Sequence, residues 1–453
     1  MTGPLDGRLP GPVRQAMARL EQAGYRAYVV GGALRDLLLG RQPQDYDLAS
    51  TAPPQQVSTL FAQCRVVETG LRYGTVTVHT GGMALEITAL RRDGRYRDGR
   101  RPVEVQAAAT IEEGLARRDF TINAMAYGEG KLIDPFGGQQ DLARRQIRTV
   151  GRPEERFQED ALRILRALRF AAVLGFSIEA ETAAALREQK GLLSQISQER
   201  ITEEFTKWAC GPQGPGVLRA FPELAAQVVP ELEPLFGFDQ HTPYHIYDVW
   251  EHTLHVLDQV PPDPITKLAA LFHDIGKPAC FFMGRRGTGH FKGHGVVSGA
   301  MTAQIMRHMR YSNQVREAVC ELVRWHDENI PQQDEAVRLW LNRLGPRQMG
   351  RLLDLQQADS LSKSPWTDTR FAQELRGRME RILQRGDCFT REQLAVNGQD
   401  LKGLGAAGPR IGQLLDELLR QVMRQPEQNQ REILLDLARR RLEQSGSGPI
   451  KKL

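Results

Sequence analysis

The chain has 453 residues, of which 41% are hydrophobic and 25% charged, with a net charge of +5 and a pI near 9.0. This composition excludes a largely disordered or fibrous chain, and the length predicts roughly three or four domains. The basic excess is compatible with a polyanionic partner without requiring one. The five cysteines lie far apart with no C-x-x-C pair, which argues against a zinc knuckle or a disulfide framework and favours the cytoplasm. Because no stretch approaches the roughly 18 apolar residues of a membrane span, we expect no membrane partner.

Helical and strand-like segments alternate from about residue 13 to residue 150. VRQAMARLEQAG is typical of a helix that ends at Gly24, and YRAYVV is typical of a strand. TVTVHT and MALEITAL alternate in hydrophobicity as strands do. The sequence therefore predicts an α+β head with a small mixed sheet.

A candidate phosphate site follows the first predicted strand. Gly31 and Gly32 come directly after YVV, and Arg35 lies one turn into the next predicted helix. Glycines allow a ligand to approach the backbone, and a helix N-terminus offers free N–H groups to phosphate. A purely structural turn would give the same pattern.

Carboxylates for divalent cations come next. Asp45 and Asp47 flank Tyr46, so on an extended strand both carboxylates point to the same side. Such a pair suits two-metal phosphoryl transfer with Mg²⁺, which prefers oxygen ligands. Glu86, in LEIT, is a candidate third carboxylate from a neighbouring strand, although an outward-facing glutamate fits equally well.

Beyond residue 153 the pattern is helical almost throughout, starting with PEERFQEDALRILRALRFAAVLG. On one continuous helix Asp160 and Arg163 would share a face, with Arg166 a turn further on. A carboxylate beside a guanidinium offers both acceptors and donors to a nucleobase. A surface ion pair is the alternative.

The remaining chain divides by composition. The breaker-rich segment 211–216 is the clearest linker, and most of the ten histidines lie between it and about residue 360. We predict four domains, a head, a helical neck, a helical body and a helical tail, over residues 1–150, 151–212, 213–365 and 366–453.

Five segments resemble, in order, the motifs of the tRNA nucleotidyltransferase and poly(A) polymerase family, namely GGALRDLLLGRQPQDYDLAST, ARRDFTINAMAY, DPFGGQQDL, EDALRILRALRFA and ISQERITEEF. The bacterial class II members are the most similar. The resemblance implies a polymerase-beta-like head that adds nucleotides from CTP and ATP to the 3′ end of tRNA without a template. A poly(A) polymerase and a CC-adding enzyme remain alternatives, and no protein partner can be inferred.

The resemblance also implies roles for individual residues. Asp160 and Arg163 of the E-D-x-x-R motif would pair with the base of CTP or ATP. Segment 91–102 would help the site switch from CTP to ATP, and helices such as GPRIGQLLDELLRQVM in the tail would contact tRNA. The remaining nucleotide-binding candidates come from the second motif and the neck helix: Arg118, Asp119, Asn123, Arg166 and Arg169.

The segments WEHTLHVLD, ALFHDIGKP and FKGHGVVSG in the histidine-rich body resemble helices of the HD phosphohydrolase superfamily. Imidazoles and carboxylates together suit Mn, Fe, Ni or Zn. Such a site either hydrolyses phosphate esters or only holds helices together, and an HD phosphohydrolase with an inactive head is a further alternative. The metal ligands implied by the order H…HD…H…H…D are His252, His273, Asp274, His294, His326 and Asp359.

Overall fold

The computed structural model describes residues 5–71, 74–93 and 105–446. It divides into two compact units, Met1–Glu233 and Pro234–Leu453. The four predicted domain boundaries remain a prediction. The breaker-rich segment at 211–216 lies inside the first unit, where it leads into a helix that begins at Gly214.

A seven-stranded sheet with the strand order β3-β4-β5-β2-β1-β8-β9 forms the centre of the first unit. The sheet is mixed, because β2 and β5 run parallel while the other neighbours are antiparallel. Two smaller pairs, β6 with β7 and β10 with β11, lie outside it. The strands are β1 Ala27–Val30, β2 Tyr46–Ser50, β3 Arg65–Val67, β4 Thr75–Thr80, β5 Met83–Ala89, β6 Arg91–Asp93, β7 Val105–Ala107, β8 Ala126–Gly128, β9 Lys131–Ile133, β10 Gln146–Ile147 and β11 Ser177–Ile178.

Local patterning explains these strands. All four residues of β1 are buried, as expected for a strand covered on both faces, whereas β4 and β5 bury alternate residues. Gly24, at φ +84°, follows the first helix as predicted. The predicted α+β head is confirmed.

Helices cover the sheet and then dominate from residue 153 onward. The first five belong to the sheet region, and the next six follow it within the first unit. They are α1 Gly11–Gln22, α2 Gly32–Leu38, α3 Pro54–Leu60, α4 Ile111–Ala116, α5 Gly138–Arg144, α6 Pro153–Glu159, α7 Leu162–Leu174, α8 Ala180–Glu188, α9 Gln198–Ala209, α10 Gly214–Ala220 and α11 Pro222–Val228.

The single neck helix expected from residue 153 is wrong, because α6 ends at Glu159. Asp160 has extended backbone angles, φ −147° and ψ 102°. Its Oδ1 accepts a hydrogen bond from the Leu162 N–H at 3.1 Å. Aspartate commonly breaks a helix in this way, since its carboxylate satisfies an N–H at the start of the next one.

Within its described residues the second unit is helical except for one short hairpin, β12 Phe282–Met283 with β13 Gly289–His290. Its longest helix bends at Gly345, where φ is +73°, directly before Pro346. The prediction that helical regions follow the head is confirmed. The helices are α12 Val249–Gln259, α13 Pro264–Phe272, α14 Lys277–Cys280, α15 His294–His308, α16 Asn313–Trp325, α17 Asp334–Leu361, α18 Arg370–Arg385, α19 Gly398–Gly403, α20 Pro409–Arg424 and α21 Arg431–Gly446.

Two further expectations concern the whole chain. All five cysteines are free thiols. Among the helices in the described part of the chain, none combines the length and the apolar character needed to cross a bilayer.

Candidate active site and metal centre

The carboxylates of the head lie on neighbouring parallel strands. Asp47 of β2 is in register with Glu86 of β5. Burial raises the pKa of Asp47, and the charges of Glu86 and Asp45 raise it further, while Arg118 opposes them. These mutual effects place the three carboxylates and one guanidinium in a common electrostatic environment.

Asp45 differs from its expected position on the strand. It lies one residue before β2 and is exposed, whereas Asp47 is half-buried. In residues 5–71, 74–93 and 105–446, groups of three or more ligand-type side chains with donor atoms within 4.8 Å occur only in the second unit. The donor atoms of Asp45, Asp47 and Glu86 therefore do not all lie within 4.8 Å of one another.

Gly31 allows the backbone to approach this cluster. Its φ is +73°, and a Cβ atom there would lie 2.8 Å from Arg118 Nη1 and 3.4 Å from Asp47 Oδ2. A side chain at this position would be strained and would displace the guanidinium. Helix α2 begins at the next residue, Gly32, so its free N–H groups lie beside the same cluster.

A chain of hydrogen bonds connects α2 with the neck. Arg35 Nη1 donates to Asn123 Oδ1 at 2.9 Å, and Asn123 Nδ2 donates to Asp119 Oδ1 at 3.1 Å. Arg166 Nε donates to the other oxygen of Asp119 at 2.8 Å. Burial alone would raise the pKa of Asp119, but Arg166 and the hydrogen bonds from Asn123 and Arg166 outweigh it, so this pKa lies well below its usual range.

Three guanidinium groups surround the ring of Phe170. Their carbon atoms lie 5.3 Å (Arg35), 5.4 Å (Arg166) and 4.1 Å (Arg169) from the ring centroid. The buried Glu204 of α9 accepts from Arg169 Nε at 2.5 Å and lies 3.8 Å from Arg166. The ring and one carboxylate thus hold three cations together, an arrangement suited to a polyanionic ligand.

Asp160 and Arg163 are brought to the same region, but each has a different partner. Arg163 is buried and pairs with Glu159 at 2.6 Å, while it also donates to the Arg117 carbonyl at 2.9 Å. Asp160 pairs with Arg200 at 3.1 Å. The alternative of a surface ion pair between Asp160 and Arg163 is therefore wrong, because the helix breaks between them and Arg163 is inside.

Sequence reasoning named no role for several of these side chains. Glu159 is the first residue of the E-D-x-x-R motif, while Arg200 and Glu204 belong to the fifth motif, ISQERITEEF. The motifs therefore include these three residues, but the sequence did not show which charged side chains each of them would contact. Most of the predicted nucleotide-switching segment, residues 94–102, lies outside the described residues.

All six predicted ligands of the body converge. His252 lies within α12 and Asp359 within α17, while His273 and Asp274 directly follow α13. The remaining two, His294 and His326, lie at the first residue of α15 and directly after α16. Five helices therefore contribute to one buried cluster.

Backbone carbonyls orient the four imidazoles. In each histidine Nδ1 lies within hydrogen-bond distance of a carbonyl oxygen, which fixes the tautomer with Nε2 free to act as an acceptor. The distances are 3.2 Å for His252 to Ser362, 2.8 Å for His273 to Ala270, 2.9 Å for His294 to Phe291 and 2.7 Å for His326 to Val323.

The four Nε2 atoms converge on Asp274, two at each carboxylate oxygen. His252 and His273 lie 3.5 and 3.0 Å from Oδ2, and His294 and His326 lie 3.2 and 3.6 Å from Oδ1. Two ligands bound at about 2.1 Å to one ion are themselves separated by about 3.0 to 3.4 Å. The spacing is compatible with metal binding, and Asp274 belongs to both groups of three side chains whose donor atoms lie within 4.8 Å of one another.

Asp359 completes the first half of the cluster. Its Oδ1 lies 3.0 Å from His252 Nε2, and Lys363 contacts its Oδ2 at 2.5 Å.

Burial would raise the pKa of Asp274, but the charges of His273 and Lys277 outweigh it, so the pKa of Asp274 lies well below the usual range. The carboxylate is therefore ionised and available as a ligand.

A cavity of about 430 Å³ opens onto this cluster. Three lysines line it, Lys277, Lys292 and Lys363, together with the histidines at 245, 290, 294 and 326. Cations beside a carboxylate and imidazole cluster suit a phosphate group.

Comparison with known proteins gives three family matches. They are the poly A polymerase head domain over residues 27–148, the RNA and SrmB-binding site of polymerase A over residues 175–235, and tRNA nucleotidyltransferase domain 2 over residues 296–438.

Similar curated proteins include the CCA-adding enzyme of Lactobacillus helveticus, 42% identical over 258 residues that cover 55% of this chain and 63% of the relative. Another is the CCA-adding enzyme of a Geobacillus strain, 50% identical over 194 residues that cover 43% of this chain and 48% of the relative. The chain thus spans between about half and 63% of these relatives' length.

Similarity to solved structures extends over nearly the whole chain. The crystal structure of the Bacillus stearothermophilus CCA-adding enzyme in complex with CTP has a TM-score of 0.71 and 29% identity, covering 97% of this chain and 99% of that one. A Thermotoga maritima CCA-adding enzyme complexed with tRNA, 19% identical with a TM-score of 0.54, shares the fold and covers 95% of this chain and 94% of that one.

Proposed function

We propose that the chain belongs to the poly(A) polymerase and tRNA nucleotidyltransferase family, whose models match it in three separate segments, and that it adds nucleotides from CTP and ATP to the 3′ end of tRNA. The observation that carries this proposal is the register of Asp47 with Glu86 beside the left-handed Gly31 and the Arg118 guanidinium. The five free thiols fit the reducing cytoplasm, where we place the activity.

The head residues divide the work of phosphoryl transfer. Bound Mg²⁺ would supply charge stabilisation and lower the pKa of the attacking hydroxyl. Asp45, Asp47 and Glu86 provide the oxygen ligands that this ion prefers. The 3′ oxygen of the tRNA bonds to the α-phosphorus as the bond to pyrophosphate breaks, and the hydroxyl proton is released to water.

The triphosphate would lie between α2 and the neck. The N–H groups after Gly31 and the guanidinium of Arg118 face the reacting phosphate, while Arg35, Arg166 and Arg169 surround Phe170 nearby. Such donors, fixed before the substrate arrives, stabilise charge without reorganisation.

Base selection is assigned to Asp160 and Arg163. Cytosine and adenine both present an amino donor beside a ring-nitrogen acceptor, whereas uracil and guanine present the reverse order. A carboxylate that accepts and a guanidinium that donates therefore suit CTP and ATP together. In this proposal the base replaces Arg200 and Glu159 as the partners of these two side chains.

The products of one assay test the proposal. The full-length protein with Mg²⁺ is incubated with tRNAs that end in no C, one C or two Cs, and CTP and ATP are supplied separately and together. We expect completion to CCA in every case when both are present, as in the relatives named CCA-adding enzymes. Addition of A alone would indicate an A-adding enzyme, C alone a CC-adding enzyme, and long A tails a poly(A) polymerase.

Failure to extend any of the three tRNAs would sink the proposal. Extension that survives the double change Asp45→Ala and Asp47→Ala would refute the assigned metal site. A body that hydrolyses phosphate esters beside an inert head would favour the phosphohydrolase alternative.

A second activity is proposed for the body because four carbonyl-anchored imidazoles converge on Asp274 below a lysine-lined cavity. Mn, Fe, Ni or Zn suits this ligand set and would supply a nucleophilic hydroxide from water. Water adds to phosphorus, the ester bond breaks, and the alcohol leaves with a proton. We test this by measuring the metal content and the hydrolysis of bis-p-nitrophenyl phosphate for the wild type and His273→Ala. A wild type that binds metal but hydrolyses no ester would indicate that the metal has a structural role.

A further inference from the structure

One carboxylate in the first unit is shared by two arginines. Glu159, the last residue of α6, accepts from Arg156 Nη2 through Oε1 and from Arg163 Nη1 through Oε2, each at 2.6 Å. The three side chains are mostly buried, with 22%, 19% and 9% of their surfaces exposed. Because each guanidinium contacts one oxygen of the same carboxylate, the strength of either ion pair depends on the presence of the other.

Two consecutive backbone carbonyls hold these arginines from the other side. Arg156 Nη1 donates to the Ala116 carbonyl at 3.0 Å, and Arg163 Nη2 donates to the Arg117 carbonyl at 2.9 Å. Helix α4 ends at Ala116, and carbonyl groups at the end of a helix attract cations. The end of α4 therefore sets the distance between the two guanidiniums, with Glu159 between them.

The proposed base selection requires Glu159 to change partners. In that proposal the base of CTP or ATP replaces Glu159 as the partner of Arg163. Without Arg156 the exchange would leave a mostly buried carboxylate without a cation, and an unpaired charge in such a place strongly opposes the exchange. With Arg156 present, Glu159 keeps one ion pair while Arg163 turns to the base.

Arg156 has a further feature that a purely stabilising side chain would avoid. Its Nε is buried and, among the residues that the structure describes, has no hydrogen-bond partner. A buried donor without a partner destabilises a fold. The contacts with Glu159 and Ala116 are thus kept although they leave one donor of Arg156 unsatisfied, which favours a role in the exchange of partners over a role in stability.

We propose that Arg156, three residues before the E-D-x-x-R motif, is a positioning residue for nucleotide selection that retains Glu159 when the base takes Arg163. The inference rests on the proposed nucleotide addition and deepens it. CTP and ATP must compete with an undivided ion pair when Arg156 is missing. UTP and GTP carry a proton on the ring nitrogen that would face Arg163, so they do not depend on its release.

Single-nucleotide addition by the full-length protein with Mg²⁺ tests this inference. A tRNA that lacks the CCA end receives CTP or UTP, and a tRNA that ends in two Cs receives ATP or GTP. Each kcat/KM is measured for the wild type and for Arg156→Gln, which removes the charge. The ratio between correct and wrong nucleotide does not depend on the fraction of folded protein, so a loss of stability alone leaves it unchanged.

Arg156→Gln should lower kcat/KM for CTP and ATP about 10-fold, mainly through KM, and leave the values for UTP and GTP unchanged. Arg156→Lys, which keeps the charge, should recover most of the loss. The matched control is Arg187→Gln, which should change neither ratio. Arg187 also contacts a glutamate and a carbonyl in the first unit, Glu223 at 2.8 Å and Ala220 at 3.1 Å.

A second variant shows whether Arg156 acts through Glu159. With Glu159→Gln no carboxylate competes for Arg163, so the further change Arg156→Gln should alter the ratio of CTP to UTP less than about 2-fold. An equally large effect in both backgrounds, equal losses for correct and wrong nucleotides, or loss of all extension in Arg156→Gln and Arg156→Lys alike would overturn the inference. A wild type that extends no tRNA would instead reject the proposed nucleotide addition on which the inference rests.

Discussion

The head and the body each gather carboxylates, but they surround them with different partners. In the head Asp45, Asp47 and Glu86 lie near Arg118 on or beside neighbouring strands of the sheet and offer only oxygen ligands. In the body Asp274 lies among four imidazoles carried by four helices and is almost fully buried. The first set suits Mg²⁺ and the second suits softer transition metals.

In the proposed functions, this difference separates two phosphate chemistries within one chain. Among the head ligands Asp45 and Glu86 are exposed and Asp47 is half-buried, as suits ions that arrive with a triphosphate. The body ligands are already at coordination spacing, as suits ions that stay bound. Substitutions at the two sites should therefore affect separate activities.

The largest expected effect is that of Asp47→Ala. Loss of the strand-borne carboxylate should reduce nucleotide addition about 10,000-fold, on the order of the loss when one member of a catalytic unit is removed. The rate of CTP incorporation into tRNA measures it. Glu68→Ala, an exposed carboxylate in the same unit, is the control, and an equal loss there would refute the assignment.

Asp274→Asn should abolish metal binding and ester hydrolysis by the body without affecting the head. Since both metal groups include Asp274, the variant should lose its bound ions, and ester hydrolysis should fall about 1,000-fold. Nucleotide addition should be unchanged. Metal content, ester hydrolysis and nucleotide addition are measured for Asp274→Asn and for the control Asp239→Asn, whose side chain is 71% exposed. Full metal content in Asp274→Asn would contradict the assignment of Asp274 as a metal ligand.

Asp119→Asn tests the connection between α2 and the neck. Breaking the buried pair with Arg166 should destabilise the first unit by about 3 kcal/mol at pH 7. Thermal unfolding of the variant and wild type measures the difference, with Glu155→Gln, 58% exposed, as a control expected within about 0.5 kcal/mol.

The pH dependence of that difference has a defined sign. Because the folded pKa of Asp119 is lowered, its stabilisation is complete above the unfolded pKa of about 3.9 and is lost as the pH falls through the folded value. The gap between wild type and Asp119→Asn should thus be constant from pH 7 to about pH 5 and shrink below about pH 4. A gap that grows with acidification would rule out this ion pair as its cause.

The smallest expected effect is that of Phe170→Leu. Removing the ring shared by Arg35, Arg166 and Arg169 should raise the KM for CTP about 5-fold with little change in kcat, since each exposed cation–π contact contributes about 0.5–1 kcal/mol. Steady-state kinetics measure it. Phe176→Leu, equally buried at 6%, controls for lost packing. An equal change of KM in both variants would show that the Phe170 ring has no specific role in CTP binding.

Much of the site was predictable because its signals are local. Gly31 and Gly32 before a helix and Asp47 on a strand each follow from a few neighbouring residues. The six ligands of the body, Asp274 among them, were predicted from a resemblance to the HD phosphohydrolase superfamily. The helix break at Asp160 was not predicted, because apolar residues at spacings of three and four continue across it. The sequence pattern therefore did not show that the Asp160 side chain accepts a hydrogen bond at the start of the next helix.

By itself, the sequence determined the α+β head, the helical regions that follow and the identity of most candidate ligands, since periodicity and turn residues act over short stretches. Only the tertiary structure decided which groups meet. It paired Asp47 with Glu86 through strand register, gave Arg163 to Glu159 and Asp160 to Arg200, and brought two imidazoles to each oxygen of Asp274. Glu159 and Arg163 are four residues apart in sequence, and His273 adjoins Asp274. The other partners lie between 20 and 52 residues apart, and only the packing of strands and helices brings them together.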